Sequence, residues 1–340
     1  MQEDKIKKVY GLFDEEKSKY IYENRAMYSL TGAKKFIRNV VCTRQIGYEL
    51  YNRLKLSDRK KVLFGAGRLG QRFARVYDDI KFECFVDNYY TDMSCGGIPV
   101  INMEELKRDY SDAIISIVSI KYWKEIMDQL LREGFEERNI LNFGMEYWKM
   151  NQLQYFDLPE LEKNRNEWEV FVDGGSYDGE SAVNFLKWCK SRGGIYAWEP
   201  DRDSIYKCKQ LFEEHDMNVK LIPKGLWSKA GVLRFRSQGR GGSIAVNGER
   251  SVEVECIDHF VEEPVTFIKL DVEGAEYQAL LGAEQTIASY KPKLAICVYH
   301  KPEDIWELPS LIHEMNPEYR FYLRHYSFAE NETVLYAMPK

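Results

Sequence analysis

The sequence predicts an α/β protein of two domains, and three observations carry that reading. The chain runs to 340 residues, beyond the length at which a single core usually suffices. Short β-branched or aromatic runs alternate with helical stretches in two separate blocks, residues 60–145 and 170–340. Each block opens with a strand that ends in a glycine-rich turn, KVLFGAG in the first and VFVDGG in the second.

Residues 1–58 are charged and rich in tyrosine, with apolar positions at loosely helical spacing, and read as a helical extension of two or three helices. From 59 to 150 the runs KVLFGAG, LGQRFARVY, FECFVDN, IPVI, EELKRDY, AIISIV and KEIMDQLLREGF give the strand-helix rhythm of a parallel sheet. Residues 151–169, with Pro159 and the charge-rich LEKNRNEWE, read as a polar linker. The rhythm resumes from 170 to 340 with EVFVDGG, a helix through Lys190, GIYAWEP, a helix to about Asp216 and VKLIPKG. After a polar excursion come VTFIKLDVEG, a helix to Tyr290, KLAICVYH, and two last strands, YRFYLRHY and TVLYAMP.

Composition narrows the function classes. A net charge of -6 offers no basic footprint, so nucleic acid is not an expected partner. Seven cysteines lie singly with no CxxC pair, which supports neither a zinc site nor a disulfide framework and fits reduced thiols in the cytoplasm. No apolar run approaches the roughly 18 residues of a membrane span, and the N-terminus lacks an apolar leader core, so a soluble protein is expected.

VFVDGGSYDGES, residues 170–181, carries the first chemistry. Gly174 and Gly175 let the backbone turn tightly against a ligand, and the following helix N-terminus presents free N–H groups. Glu199, closing the second strand in YAWEP, is placed to take both hydroxyls of a ribose. A dinucleotide needs GxGxxG for its pyrophosphate, whereas DGGSYDG sets Asp173 and Asp178 beside the turn. Two carboxylates repel a pyrophosphate and suit the amino and sulfonium charges of S-adenosylmethionine. The cofactor-binding candidates are Asp173, Gly174, Gly175, Ser176, Asp178, Glu199 and Pro200.

DGGSYDGES, AWEPD, the excursion with GRGGS, ECIDHF, FIKLDVEGAEYQALLGAEQTI, KPKLAICVYHKPEDIWELP and YRFYLRHYS with TVLYA together resemble the FkbM family of S-adenosylmethionine-dependent methyltransferases over residues 165–338. The resemblance implies the class I methyltransferase fold, a mostly parallel Rossmann-like sheet of seven strands closed by an antiparallel C-terminal hairpin. It also implies transfer of a methyl group to a hydroxyl oxygen, the acceptor being a sugar or glycan precursor, as in polysaccharide biosynthesis. FIKLDVEG would then be the fourth strand, and Lys269, Asp271 and Glu273, at every second position, would gather at its carboxyl end. An alcohol needs a base to take its proton. The expected base is His300, in VYHKPED, or Asp271, with Glu273 a further base or orienting group and Lys269 as electrostatic support. Other methyltransferases of this fold hold a magnesium ion with carboxylates at these strand ends, and Asp271 and Glu273 could do so here, although a hard cation usually needs more oxygen ligands. Tyr299, Arg324, His325 and Tyr326 sit near neighbouring strand ends, and QGRGGS, 238–243, has the composition of a lid or acceptor loop.

The first block has Gly65, Gly67 and Gly70 between a strand and a helix, with Asp87 closing the next strand. This second glycine turn fits a nucleotide, and Arg68 and Arg72 would suit its phosphate. FVDN followed by GGIPVINMEEL resembles small Rossmann-like domains that accompany sugar-modifying enzymes, which implies a nucleotide sugar, or else a scaffold that supports oligomer formation. An NAD-dependent oxidoreductase is the weaker alternative, because no Tyr-xxx-Lys pair accompanies the turn. Acceptance by nitrogen instead of oxygen stays open.

Overall fold

The computed structural model describes residues 2–90, 94–236, 243–244 and 250–340. The chain forms two compact units, one of residues 27–152 with 325–331, the other of residues 1–26, 153–324 and 332–340. Among the described residues no helix is long and apolar enough to cross a membrane.

The smaller unit is built on six strands, β1 (Lys61–Phe64), β2 (Cys84–Val86), β3 (Ser94–Cys95), β4 (Ile98–Ile101), β5 (Ile114–Ile117) and β6 (Ile140–Leu141). They lie in the order β3-β4-β2-β1-β5-β6, all pairs parallel except β3 with β4. Val62, Leu63, Phe64 and Ile114 to Ile117 are buried along their whole length, the near-continuous apolar run of a strand covered on both faces. The helix Lys35–Val41 is tied to this sheet's first helix, Arg68–Val76, by Arg38, whose buried guanidinium donates to the Val76 carbonyl and to Asp78, both at 2.6 Å.

The larger unit contains β7 (Glu169–Gly174), β8 (Gly193–Trp198), β9 (Val219–Ile222), β10 (Gly225–Leu226), β11 (Gly231–Arg236), β12 (Ser243–Ile244), β13 (Arg250–Glu255), β14 (Phe267–Leu270), β15 (Lys293–Cys297), β16 (Arg320–His325) and β17 (Thr333–Met338). Seven form one sheet in the order β16-β17-β15-β14-β7-β8-β9, parallel from β15 to β9 with β17 antiparallel to β15. The polar excursion contributes a separate sheet, β10-β13-β11-β12. Of the glycine stretch read as a lid, residues 238–242 lie outside the described residues. Strand order reverses between β8 and β14 on either side of β7, so the crevice at the carboxyl ends of these strands is where an open α/β sheet receives its ligand.

Three sequence expectations change in this frame. Residues 151–169 are packed structure instead of a linker: they include the end of the helix Phe143–Leu153 and the helix Pro159–Lys163, and Tyr155, Leu158 and Leu161 are buried. Phe156 joins Phe171, Phe185, Trp188 and Phe267 in an aromatic core at centroid distances of 5.7–6.3 Å. The helical extension is divided, because residues 1–26 belong to the larger unit, where they shield β16 at the sheet edge. Leu323 N–H donates to Ser18 Oγ at 3.0 Å and Arg324 pairs with Glu15 at 2.7 Å, giving an otherwise open edge side-chain partners. The helix expected to run to Tyr290 is two, Glu276–Leu281 and Glu284–Tyr290, broken at Gly282, where a Cβ would lie 2.1 Å from the Trp227 carbonyl oxygen.

Candidate active site

The glycine turn after β7 is built by a buried ion pair. Parallel register sets Lys269 of β14 against Asp173 of β7. The Lys269 Nζ lies 3.1 Å from Asp173 Oδ1 and donates to the carbonyls of Gly174 at 3.0 Å and Gly175 at 2.7 Å. Ser181 Oγ donates to Asp173 Oδ2 at 2.6 Å, and Ser176 Oγ donates to the Asp173 carbonyl at 3.2 Å. Lys269 is therefore engaged in shaping the turn, through two donated hydrogen bonds and its pairing with Asp173. A desolvated ammonium takes whatever carboxylate and carbonyls the register offers. Although burial pulls its affinity for a proton down, Asp173 and Asp271 raise it above the ordinary lysine value, so it stays charged.

Gly175 has φ +76, and a Cβ there would sit 1.9 Å from the Asp271 carbonyl oxygen. The turn thus packs directly on the loop that follows β14. Gly175→Ala is expected to destabilise the larger unit by at least about 2 kcal/mol, from the left-handed backbone and the clash together. Denaturant unfolding checks this, and an unchanged midpoint would mean that the loop moves aside freely.

Glu199 closes β8 with its carboxylate buried over the turn. Its Oε2 accepts from Tyr177 N–H at 2.9 Å and its Oε1 from Asp201 N–H at 2.8 Å. Burial raises its affinity for a proton, while those two backbone donors favour the charged form. Two oxygens offer about four acceptor positions, so two remain for a ligand's hydroxyls. Asp178 lies before the helix Glu180–Trp188, and its Oδ1 is 3.4 Å from Glu180 N. Pro200, half-buried, follows Glu199 directly.

The second cluster lies just past β14. Asp271 accepts from Tyr155 Oη at 2.9 Å and from Tyr299 Oη at 3.2 Å. Nε2 of His300 lies 3.4 Å from Asp271 Oδ1 and 3.5 Å from Glu273 Oε2, while its Nδ1 is 2.9 Å from Glu276 Oε1, too poorly aligned for a hydrogen bond. Glu276 is fully buried and also accepts from Val272 N–H at 2.8 Å. Glu332 extends the group, 3.4 Å from Tyr299 Oη and 2.8 Å from Gln154 Nε2. The structure thus brings Asp271, Glu273 and His300 together, and adds Tyr155, Glu276 and Glu332. Glu276 had a readable signal, an acid opening the helix that follows DVEG. Tyr155 had none, because it reaches the site from a stretch without periodicity and with φ +74.

Burial acts against charge on His300, yet Glu276, Asp271 and Glu273 raise its pKa to about 10. The acids around it therefore favour the imidazolium at neutral pH. Burial also opposes ionisation of Asp271, but His300, Lys269 and the Tyr155 hydrogen bond hold it below the usual carboxylate range. Glu273 goes the other way: burial, with Asp271, Glu276 and Glu332 nearby, outweighs His300 and pushes it to about 7. Asp304 is raised to about 7 as well, by burial and by Glu276. Asp271, Glu276 and His300 could offer a metal one atom each within 4.8 Å, as could Glu255, Cys256 and His259. Neither set suits magnesium, which prefers six oxygens, and in the first the imidazolium already neutralises the acids.

Other expected residues fall elsewhere. In the smaller unit Gly70 packs so closely that a Cβ would lie 1.9 Å from the Gly65 carbonyl oxygen, while one on Gly67 would meet open space. Asp87 is absorbed by the backbone: Oδ2 accepts from Ala66 N–H at 2.9 Å, and Oδ1 from Tyr89 and Tyr90 N–H at 2.9 and 3.2 Å. Arg324 pairs with Glu15, and Tyr326 lies under the Arg44 guanidinium, 4.5 Å from its ring centre.

A seven-stranded sheet in this order, with its antiparallel C-terminal hairpin and a glycine turn at the switch point, is the class I methyltransferase fold. Residues 173–329 match the family model described as the methyltransferase FkbM domain. No curated protein matches the chain. Among solved structures, methyltransferase FkbM from Methylobacillus flagellatus KT is similar at 19% identity and TM-score 0.49, over 86% of this chain and 93% of that one. An rRNA methylase from Streptococcus thermophilus is similar at 15% identity and TM-score 0.36, over 53% and 93%. The Aeropyrum pernix fibrillarin with natively bound S-adenosyl-L-methionine follows at 15% identity and TM-score 0.37, over 58% and 81%. Likenesses this distant assign no substrate.

Proposed function

We propose that the protein transfers a methyl group from S-adenosylmethionine to a hydroxyl oxygen of a sugar or glycan precursor. The observation that carries this reading is the adjacency, across β7 and β14, of a glycine turn facing Glu199 and a rim of carboxylates around one imidazolium. When bound, S-adenosylmethionine supplies an electrophilic methyl group. Glu199 takes the ribose hydroxyls, and the Gly174–Gly175 backbone, held by Lys269 and packed on Leu226, Leu270 and the Asp271 carbonyl, forms the turn on which the cofactor rests. Asp173 acts through Lys269 and Ser181 and keeps the turn in shape without touching the cofactor.

A rim of carboxylates accepts hydrogen bonds from a polyol and repels phosphate, which favours a sugar hydroxyl over a nucleic-acid backbone. Asp271, fixed by two tyrosine hydroxyls, orients the acceptor about 3 to 3.5 Å from the methyl carbon, and that positioning contributes much of the rate. The 65–70 glycine turn is a second site in this reading, for the phosphates of a nucleotide sugar, with Asp87 bracing the turn through the Ala66 N–H.

Calorimetric titration with S-adenosylhomocysteine tests the cofactor site, with NAD and a nucleotide sugar in parallel cells. Glu199→Ala is expected to weaken S-adenosylhomocysteine at least about tenfold, about 1.4 kcal/mol. Equal affinity in the folded variant would remove Glu199 from the site, and binding of NAD alone would move the function to the other unit.

A further inference from the structure

Four acids surround His300, and their accessibility differs. Glu276 is fully buried and Asp304 nearly so, its Oδ2 accepting from Lys301 N–H at 2.7 Å. Asp271 is occupied by Tyr155 and Tyr299. Glu273 has its side chain 32% exposed, pairs only with Nε2 of His300 at 3.5 Å, and receives no hydrogen bond among the described residues. Its backbone, φ +53 followed by Gly274 at φ +93, turns the chain sharply at the end of β14.

We propose that Glu273 is the catalytic base of this methyltransferase, the group that takes the proton from the acceptor hydroxyl. The inference rests on the hydroxyl-transfer reading above. In the step, the acceptor O–H bond breaks and its proton goes to a Glu273 oxygen, while the oxygen forms its bond to the methyl carbon. The carbon–sulfur bond breaks with its electron pair left on sulfur, giving S-adenosylhomocysteine. His300 is a positioning residue: Glu276 holds its Nδ1 side, and its Nε2 side faces both Asp271 and Glu273. The groups that face Glu273 are His300 from the loop after β15, Asp271 from its own loop, Glu276 from the next helix and Glu332 before β17. Of these only His300 favours its charged form.

The test uses the whole protein labelled with 13C at glutamate side-chain carboxyls and saturated with S-adenosylhomocysteine, titrated by NMR beside Glu273→Gln. The same proteins are assayed on a panel of methyl glycosides with S-adenosylmethionine across pH. The expected result is a carboxyl resonance that titrates at about 7 and is missing from Glu273→Gln. Glu273→Gln should lose at least about 100-fold in kcat with unchanged S-adenosylhomocysteine affinity, and Glu273→Asp should restore part of the rate with its acid limb. Failure of the wild type to bind S-adenosylhomocysteine overturns the methyltransferase reading itself. Binding without such a resonance, or a Glu273→Gln enzyme that keeps its rate and acid limb, overturns the assignment of Glu273 alone.

Discussion

Lys269→Met is expected to lower the stability of the larger unit by about 3–5 kcal/mol and to abolish S-adenosylhomocysteine binding. The side chain is 4% exposed and faces Asp173, itself wholly buried, so the substitution strands a carboxylate away from water. It also removes the donors to the Gly174 and Gly175 carbonyls, which leaves the cofactor turn without its internal brace. Guanidinium unfolding followed by fluorescence of the buried Trp188 and Trp198 measures the first effect, and calorimetry the second. The double variant Lys269→Met/Asp173→Leu should recover much of the lost stability, because replacing both members of a buried pair by apolar groups is often neutral. It should not recover binding, since the carbonyls stay unbraced. If Lys269→Met alone keeps the wild-type midpoint, the pair is not what holds the turn.

The second large effect is a fall in stability with rising pH above neutrality, removed by His300→Gln. His300 goes from an ordinary value of 6.5 to about 10 on folding, so the native state keeps a proton that the unfolded chain releases. Its contribution is full below the unfolded value and is lost as pH rises through about 10. Between those values the expected slope is close to -1.4 kcal/mol per pH unit. Glu273 and Asp304, both raised to about 7, act in the same direction at lower pH, their contribution fading as pH rises from the ordinary carboxylate range through about 7. Asp271, held low, opposes them, since its contribution is present above its ordinary 3.8 and lost as pH falls through its native value. The larger unit should therefore be most stable on the acid side of neutrality. Unfolding midpoints measured across that range check this, and a wild-type slope above neutrality that persists in His300→Gln would assign it to another group.

Much of this architecture is legible in local sequence. Val170 to Gly175, Tyr196 to Glu199 and Phe267 to Gly274 carry their own signals: an apolar run, then a residue type that either turns the backbone or ends in charge. The smaller unit is equally readable as far as its glycine turn, but the contacts that Asp87 makes are not. Its two oxygens close the turn on Ala66, Tyr89 and Tyr90. Residues 151–169 escape for the opposite reason, because Tyr155, Leu158 and Leu161 are buried, and Phe156 half-buried, without any regular spacing. Phe156 and Tyr155 are placed by contacts with Phe171, Phe267 and Asp271, more than a hundred positions away in the case of the last two.

The sequence by itself determined the two α/β blocks, the glycine turn with Glu199, and the strand ending in Asp271 and Glu273. Each of these depends on backbone preference and on neighbours within a few residues. Only the tertiary structure decided what the charged groups do. Parallel pairing of β7 with β14 gives Lys269 to Asp173 and to the carbonyls of the glycine turn. The loop after β15 sets His300 among carboxylates that keep it protonated, which leaves the half-open Glu273 with an affinity for a proton near neutrality. Charge state follows burial and the field of surrounding groups, and both are set by which distant segments meet.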